Sequence, residues 1–317
     1  MKKLAFIYPG QGSQSVGMGQ ELYEKFDEVK TIFEQANNRL GYELSSIMFQ
    51  GPEEKLTQTE NAQPALLLVS TAITELLKKQ DIRPVLTTGH SLGEYSALVA
   101  AEAIDYKDAL ELVHIRGRLM ESAFPAGQGG AMAAVLGLEK EELENTLETI
   151  RSEHNEVIEI ANLNCPGQIV ISGTKAAVDL SVHALKEAGG AKRVLPLSVS
   201  GPFHSSLMKP AAADFHNEVE KIAWKNTTIP VFANVTADKV TDHQEIQQLL
   251  VEQLYSPVRF EEIIEQLLQE EVDAIVEIGN GKVLTGLVKK VNRRAKVFTV
   301  QDVPSLQELI DWVKEEG

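Results

Sequence analysis

The chain has little that would tie it to an oxidising compartment, a nucleic acid or a membrane. It carries one cysteine, Cys165, so no intramolecular disulfide can form and a reducing compartment is expected. Lys and Arg number 30 against 46 Asp and Glu, a net charge of −16, which argues against general nucleic-acid binding, since that needs a basic face. No apolar run approaches the length that spans a bilayer. Met1-Lys2-Lys3 is followed by only five apolar residues, Leu4 to Tyr8, before Pro9-Gly10, too few for the core of a signal peptide. These absences predict a soluble, cytoplasmic protein. What is present is ample core material: 317 residues, 43% hydrophobic and 24% charged, enough for two structural units.

Gly89-His90-Ser91-Leu92-Gly93 fits the G-x-S-x-G pattern of a nucleophile elbow. Pro84 to Thr88 ahead of it reads as a short buried strand, and Glu94 to Ala101 behind it as a helix rich in Ala. Glycines two residues either side of a serine let the backbone turn sharply without a Cβ clash. The hydroxyl is then raised above the sheet edge, and the N–H groups at the helix start face whatever it attacks. The plain alternative is a glycine-flanked turn.

Around the elbow, Leu4–Tyr8 predicts a first strand and Pro9–Gln14 a loop, with helical periodicity over Glu28–Leu40, Ala65–Gln80 and Tyr106–Ala123. This is the rhythm of a parallel sheet covered on both faces. The breaker-rich stretch Phe124 to Gly130 interrupts it. Strand Ala131–Leu136, helix Lys140–Ile150, strands Val157–Leu163 and Gln168–Ser172, helix Lys175–Ala188 and strand Lys192–Leu197 follow. That β-α-β-β-α-β order in about 70 residues is a ferredoxin-like unit. Helix Ser206–Ile222, strand Pro230–Asn234, two helices between Glu245 and Leu268, and strands Ala274–Ile278 and Val297–Val300 then resume the first pattern. The expected fold is a large α/β domain from residues 1–124 and 198–317 with a small subdomain, 125–197, inserted.

A serine hydroxyl needs a base within hydrogen-bond reach. Of seven histidines, His90 neighbours the serine on a tight turn where adjacent side chains diverge. His154, His183, His216 and His243 lie among charged residues, and His114 falls on the polar side of its helix. His204 sits in the loop Val199–Ser206, between the small subdomain and the returning large domain, where clefts form. It is the preferred base, with a capping or packing histidine as the alternative. The loop Gly10–Gln14 lacks the lysine of a phosphate-binding loop and the third glycine of a dinucleotide fingerprint. A second oxyanion-hole N–H, which an elbow enzyme takes from a loop after another strand, is the better use for it. Arg116 falls in the middle of the apolar stripe of Ala109, Leu112, Val113, Leu119 and Met120. A guanidinium there must meet an anion, since leaving it buried and unpaired costs several kcal/mol. The pattern alone leaves open a core ion pair and a clamp for a substrate carboxylate.

Six motifs then stand in order: P-G-Q-G-S-Q (Pro9–Gln14), G-H-S-L-G-E-Y (Gly89–Tyr95), Arg116-Gly117, N-C-P-G-Q (Asn164–Gln168), G-P-F-H (Gly201–His204) and Q-L-Y-S-P-V (Gln253–Val258). Together they resemble the malonyl-CoA:acyl carrier protein transacylases of bacterial type II fatty acid synthesis, over essentially the whole chain. The resemblance implies an α/β-hydrolase-like core with a ferredoxin-like insert. It implies that Ser91 is the nucleophile, His204 its base, and the backbone N–H groups of Gln11 and Leu92 the oxyanion hole. Arg116 then holds the malonyl carboxylate, the Gln253 carbonyl orients the histidine, and Phe203 fits a malonyl rather than an α-branched unit. Asn162, Asn164 and Gln168 fall in the segment lining the cleft on the insert side. The implied reaction is ping-pong: malonyl-CoA loads Ser91, and the phosphopantetheine thiol of acyl carrier protein takes the malonyl group. No permanently bound cofactor and no metal are implied, and a monomer is expected. The chain departs from the family at Ile278-Gly279-Asn280-Gly281, where proline is commoner at the Asn280 position. That turn is expected to lie far from the serine motif.

An acidic carrier protein would meet net repulsion here, so docking needs a local basic patch. Lys282, Lys289, Lys290, Arg293, Arg294 and Lys296 form the densest cationic run; a solvated helix face is the alternative. Rival readings are a serine esterase or thioesterase, a transacylase serving a polyketide carrier protein, and a noncatalytic docking subunit. A hydrolase triad usually runs serine, acid, histidine, and Asp179, between Ser91 and His204, sits on an insert helix facing away. Cys165, before Pro166, reads as a structural thiol.

Overall fold

In a computed structural model, described for residues 2–123, 129–187, 190–199 and 201–315, ten strands form two sheets. The strands are β1 Leu4–Tyr8, β2 Pro84–Gly89, β3 Gly130–Leu136, β4 Ile158–Cys165, β5 Gln168–Thr174, β6 Arg193–Pro196, β7 Val231–Phe232, β8 Lys239–Val240, β9 Ala274–Ile278 and β10 Val297–Val300. One sheet has the order β10-β9-β1-β2-β7-β8, parallel throughout except for the antiparallel β7–β8 pair at its edge. All five residues of β1 and of β9 are buried. These strands show no apolar–polar alternation because helices cover both faces of the sheet.

The second sheet is wholly antiparallel, β4-β5-β3-β6, the ferredoxin-like order. Its strands divide their side chains between two cores. Ala133, Val135, Ile169 and Ile171 pack under the helices Lys140–His154 and Lys175–Glu187, while Met132, Ala161 and Val170 join the core of the large sheet. Period-2 geometry produces this split. β4 is also held through backbone to the segment before the helix Phe260–Leu267: the Val258 N–H donates to the Ala161 carbonyl at 2.9 Å, and the Leu163 N–H to the Val258 carbonyl at 2.9 Å.

Several elements differ from expectation, each for a local reason. The helix expected from Ala65 starts at Thr59 and runs to Lys79 with Pro64 inside it. Pro64 cannot donate to the Glu60 carbonyl, and that carbonyl instead accepts from His114 Nδ1 at 2.9 Å. The helix expected over Ser206–Ile222 is a 3₁₀ turn, Ser206–Met208, then a helix Lys209–Val219. Pro210 is tolerated only in a first helical turn, and the Trp224 indole N–H takes up the Val219 carbonyl at the far end. Only Val231 and Phe232 of Pro230–Asn234 join the sheet, because Asn234 turns into the site described below. Helices at Gln20–Lys25, Leu44–Gln50, Glu53–Thr57 and Val283–Val291 are too short for a periodic signal. Residues 124–128 of the expected linker, and Ser200 of the loop holding His204, lie outside the described residues.

Candidate active site

β1 and β2 run side by side with Tyr8 opposite Gly89, so the loops leaving them meet at the C-terminal edge of the sheet. The elbow there is compressed. A Cβ on Gly89 would lie 1.9 Å from the Gly93 carbonyl carbon, and one on Gly93 would lie 2.0 Å from the Tyr8 carbonyl oxygen. The turn places Ser91 at φ 50°, in the left-handed region. Asn234, at the end of β7, brackets it: Oδ1 accepts from the Ser91 N–H at 2.7 Å and Nδ2 donates to the Gly89 carbonyl at 2.7 Å.

Ser91 Oγ lies 2.8 Å from His204 Nε2, and His204 Nδ1 lies 2.7 Å from the Gln253 carbonyl oxygen. A carbonyl only accepts, so the imidazole proton sits on Nδ1 and the Nε2 lone pair faces the hydroxyl. His204 also has positive φ, 59°, with its N–H held by the Leu254 carbonyl at 3.0 Å. Burial first, and then the Arg116 charge, push the imidazole down to about 3, against the pull of backbone contacts at Gln253 and Ser256. At neutral pH it is an uncharged acceptor.

Arg116 is fully buried. Gly117 lets its helix, Tyr106–Ser122, press onto Thr59–Lys79, for a Cβ there would lie 2.7 Å from the Thr59 carbonyl oxygen. That approach brings Arg116 Nη1 to Gln63 Oε1 at 2.8 Å, while Nη2 donates to Gln253 Oε1 at 2.8 Å and to Ser91 Oγ at 3.1 Å. The Tyr95 ring lies 5.3 Å from the guanidinium carbon. Nε has no hydrogen-bond partner, and among the described residues no carboxylate pairs directly with Arg116. A buried cation held only by amides and a hydroxyl is a site for an anion. A cavity of about 420 Å³ opens beside it, lined by Gln11, Ser91 and Phe203 from one side and by Met132 and Asn162 of the antiparallel sheet from the other.

A nucleophile elbow, a neutral imidazole and a buried cation in one cavity is equipment for acyl transfer. The sequence profile of the acyl transferase domain matches residues 5–313. The chain belongs to the acyl transferase family. A malonyl CoA-acyl carrier protein transacylase of Bacillus subtilis (strain 168) is 52% identical over 317 residues, 100% of this chain and 99% of the relative. One from Staphylococcus aureus (strain MRSA252) is 47% identical over 312 residues, 98% of this chain and 99% of the relative. The crystal structure of an acyl carrier protein S-malonyltransferase from Vibrio cholerae superposes with a TM-score of 0.93 at 45% identity, covering 97% of this chain and 99% of that one. A malonyl-transacylase in complex with its type II PKS acyl-carrier protein gives a TM-score of 0.94 at 41% identity, over 98% and 99% of the two chains.

In this acyl transferase the cavity gathers Gln11, Ser91, Leu92, Arg116, Asn162, Phe203 and His204. Neither the Gln11 nor the Leu92 N–H is bonded among the described residues. Asn164 is placed differently: its Oδ1 lies 2.8 Å from His90 Nε2, which keeps that ring away from the serine. Gln168 does not line the cavity. It opens β5 opposite Leu136 and Cys165, and its Oε1 accepts from Lys290 Nζ at 3.0 Å. Lys282, Lys289, Lys290, Arg293 and Arg294 are exposed, the middle pair on the last turn of the helix Val283–Val291, and none lines the cavity. Asp179 pairs with Lys175 on the exposed face of its helix, and Cys165 is buried, its thiol raised by that burial. Among the described residues no group of three or more His, Cys, Asp or Glu is placed for a metal, and no helix is long and apolar enough to cross a membrane.

The turn at Asn280 makes its contacts with the first loop and does not line the cavity that holds Ser91. Asn280 Nδ2 donates to the Ser13 carbonyl at 2.6 Å and lies 2.9 Å from Ser15 Oγ, so it fastens the loop that carries Gln11. Four contributors escaped the sequence reading: Asn234, Glu94, Gln63 and the side chain of Gln253. Glu94 carried the best signal, as the one charged residue in the wholly buried helix Gly93–Ala100. Its Oε2 accepts from Gln253 Nε2 at 2.7 Å and from the Asn234 N–H at 3.1 Å. Burial lifts its carboxyl to about 7, while those bonds and Arg116 pull it back.

Proposed function

We propose that this acyl transferase moves a malonyl group from malonyl-CoA to the phosphopantetheine thiol of an acyl carrier protein through a malonyl ester on Ser91. The observation that carries the reading is Arg116, a buried guanidinium that no carboxylate among the described residues contacts, 3.1 Å from Ser91 Oγ. A thioester bound with its free carboxylate on Arg116 presents its carbonyl carbon to Oγ and its carbonyl oxygen to the Gln11 and Leu92 N–H groups. Each such donor is worth about 3 kcal/mol in the transition state. His204 takes the hydroxyl proton as Oγ attacks and returns it to the departing CoA sulfur. In the second half-reaction the carrier thiol gives its proton to His204, attacks the ester carbonyl, and the proton returns to Ser91 Oγ. The Arg116 charge opposes imidazolium formation, and the malonyl carboxylate offsets that charge. Substrate therefore supplies part of what its own base needs.

Phe203 and Asn162 bound the acyl end of the cavity in this reading, and the Gln253 carbonyl holds the Nδ1 tautomer in place of a triad carboxylate. The chain divides into a catalytic unit, 1–124 and 198–317, and an inserted unit, 125–197, with the cleft between them. One chain supplies Ser91, His204, Arg116 and Gln253, which favours a monomer, working in the cytoplasm without a bound cofactor or metal. Lys282, Lys289, Lys290, Arg293 and Arg294 offer the acidic carrier protein its cationic contact. Supply of malonyl units to fatty acid synthesis is the preferred role; a polyketide carrier protein is the runner-up, through the likeness to the transacylase in complex with its type II PKS carrier.

Intact-mass spectrometry after incubation with malonyl-, methylmalonyl- and acetyl-CoA tests the reading. Malonyl-CoA should add one malonyl group to the wild-type chain and none to Ser91→Ala, and Arg116→Ala should lose the preference for malonyl over acetyl. Stoichiometric labelling of Ser91→Ala, or an unchanged preference in Arg116→Ala, defeats it.

A further inference from the structure

Gln253 is engaged at both ends. Its backbone carbonyl holds His204 Nδ1, and its side chain, in a residue 1% exposed, spans two opposite charges. Oε1 accepts from Arg116 Nη2 at 2.8 Å, and Nε2 donates to Glu94 Oε2 at 2.7 Å and to the Ser91 carbonyl at 3.1 Å. Glu94 Oε2 accepts from two donors, the Gln253 amide and the Asn234 N–H, and does so whether or not its other oxygen carries a proton. Glu94 therefore dictates that the amide nitrogen faces it and that the amide oxygen faces the guanidinium.

The three residues set an amide between a buried carboxyl and a buried guanidinium. Direct contact between Glu94 and Arg116 would fill the guanidinium fork with a resident carboxylate and leave a substrate carboxylate nothing to displace but a salt bridge. Interposing the amide keeps the carboxyl near the buried cation while Nη1 and Nη2 are held only by amide and hydroxyl oxygens, neutral acceptors that a substrate carboxylate can displace.

We infer that Glu94, acting through the Gln253 side chain, is a positioning element for Arg116 and sets the preference for acyl groups that carry a free carboxylate. The inference rests on the reading that Arg116 receives that carboxylate, and it assigns Gln253 two separable duties. The backbone carbonyl serves the base, and the side chain serves selectivity. A purely structural role predicts something else, because Glu94 and Gln253 also brace the elbow through Asn234 and the Ser91 carbonyl. Loosening the elbow would slow every acyl donor alike.

The test uses the full chain with Gln253→Met, which keeps length and backbone carbonyl, and Glu94→Gln, which keeps shape and removes charge. Single-turnover loading from malonyl-CoA and from acetyl-CoA is followed by intact mass, with labelling by a neutral fluorophosphonate as the measure of the Ser91–His204 pair alone. The malonyl-to-acetyl ratio should fall about tenfold or more in Gln253→Met, and by a smaller factor in Glu94→Gln, with fluorophosphonate labelling falling less than malonyl loading. Adding Gln253→Met to Arg116→Ala should lower the ratio no further, since both act on one clamp. An unchanged ratio in both single variants, or an equal fall for malonyl, acetyl and fluorophosphonate, overturns the inference. A wild-type chain without preference for malonyl overturns the reading of Arg116 itself, a result distinguishable from either.

Discussion

Arg116 and the lysines of the 282–296 stretch carry the same charge in opposite settings. Arg116 is fully buried, its fork shared among Gln63, Gln253 and Ser91 from three distant segments. Lys289, by contrast, is exposed and donates to the carbonyls of Arg293 and Ala295 in its own neighbourhood. The buried charge has lost its water and is fixed in direction; on the proposed function it discriminates between acyl groups by whether they bring an anion. The exposed charges keep their water; on the same proposal they act on a partner at long range and are screened by salt. Selectivity is then a property of the interior and encounter a property of the surface.

The largest effect should come from the interior network at a residue that touches no substrate. Asn234→Ala removes the side chain that joins the Ser91 N–H to the Gly89 carbonyl and leaves both polar groups without it in a strained turn. Each abandoned buried group costs about 1–3 kcal/mol, so the melting temperature should drop. A nucleophile displaced by a fraction of an ångström should acylate about a hundredfold more slowly. Thermal unfolding and single-turnover loading measure the two. A variant with normal loading and a lowered melting point would reduce Asn234 to a fold residue and weaken the contrast between interior and surface.

That network is also what the sequence conceals. β1, β9 and β10 fall on their expected residues, and the long helices begin or end within a few residues of expectation, because each carries a complete apolar period in contiguous chain. Ser91, His204 and Arg116 drew attention as single residues in the wrong company: a serine between glycines, a histidine in a linking loop, an arginine in an apolar stripe. Glu94, Asn234 and Gln253 meet only because the sheet order puts β7 beside β2 and a loop after Glu252 beneath both. No periodicity encodes a contact across roughly 140 to 160 positions. Asn280 teaches the same lesson in reverse: distant from the serine in sequence, it fastens the loop that follows β1.

An intermediate effect should appear in the pH profile. A base works when deprotonated, so labelling by a neutral fluorophosphonate should hold steady as the pH falls through the ordinary histidine value of 6.5 and decline only on approach to about 3. Arg116→Ala removes one of the three causes of the depression and leaves burial, the largest, together with His90. Its profile should therefore begin to fall at higher pH than that of the wild type. Coincident profiles would mean that the buried charge does not reach the base, and the interior would be less tightly wired than its hydrogen bonds suggest.

The smallest effect belongs to the surface. Reversing Lys289 and Lys290 to Glu should raise the KM for acyl carrier protein about three- to tenfold at low salt, with loading from malonyl-CoA changed less than about twofold. Added salt should shrink the difference, because exposed charges more than about 8 Å apart are screened at physiological ionic strength. Lys290 carries a second task, its Nζ donating to Gln168 at the start of β5, so Lys290→Gln separates the two contributions. If Lys290→Gln alone accounts for the whole rise in KM and salt does not moderate it, the residue acts by holding the antiparallel sheet in place rather than by attracting a partner. Lys289 would then contribute nothing to encounter, and the proposed steering surface would lose both lysines of this helix.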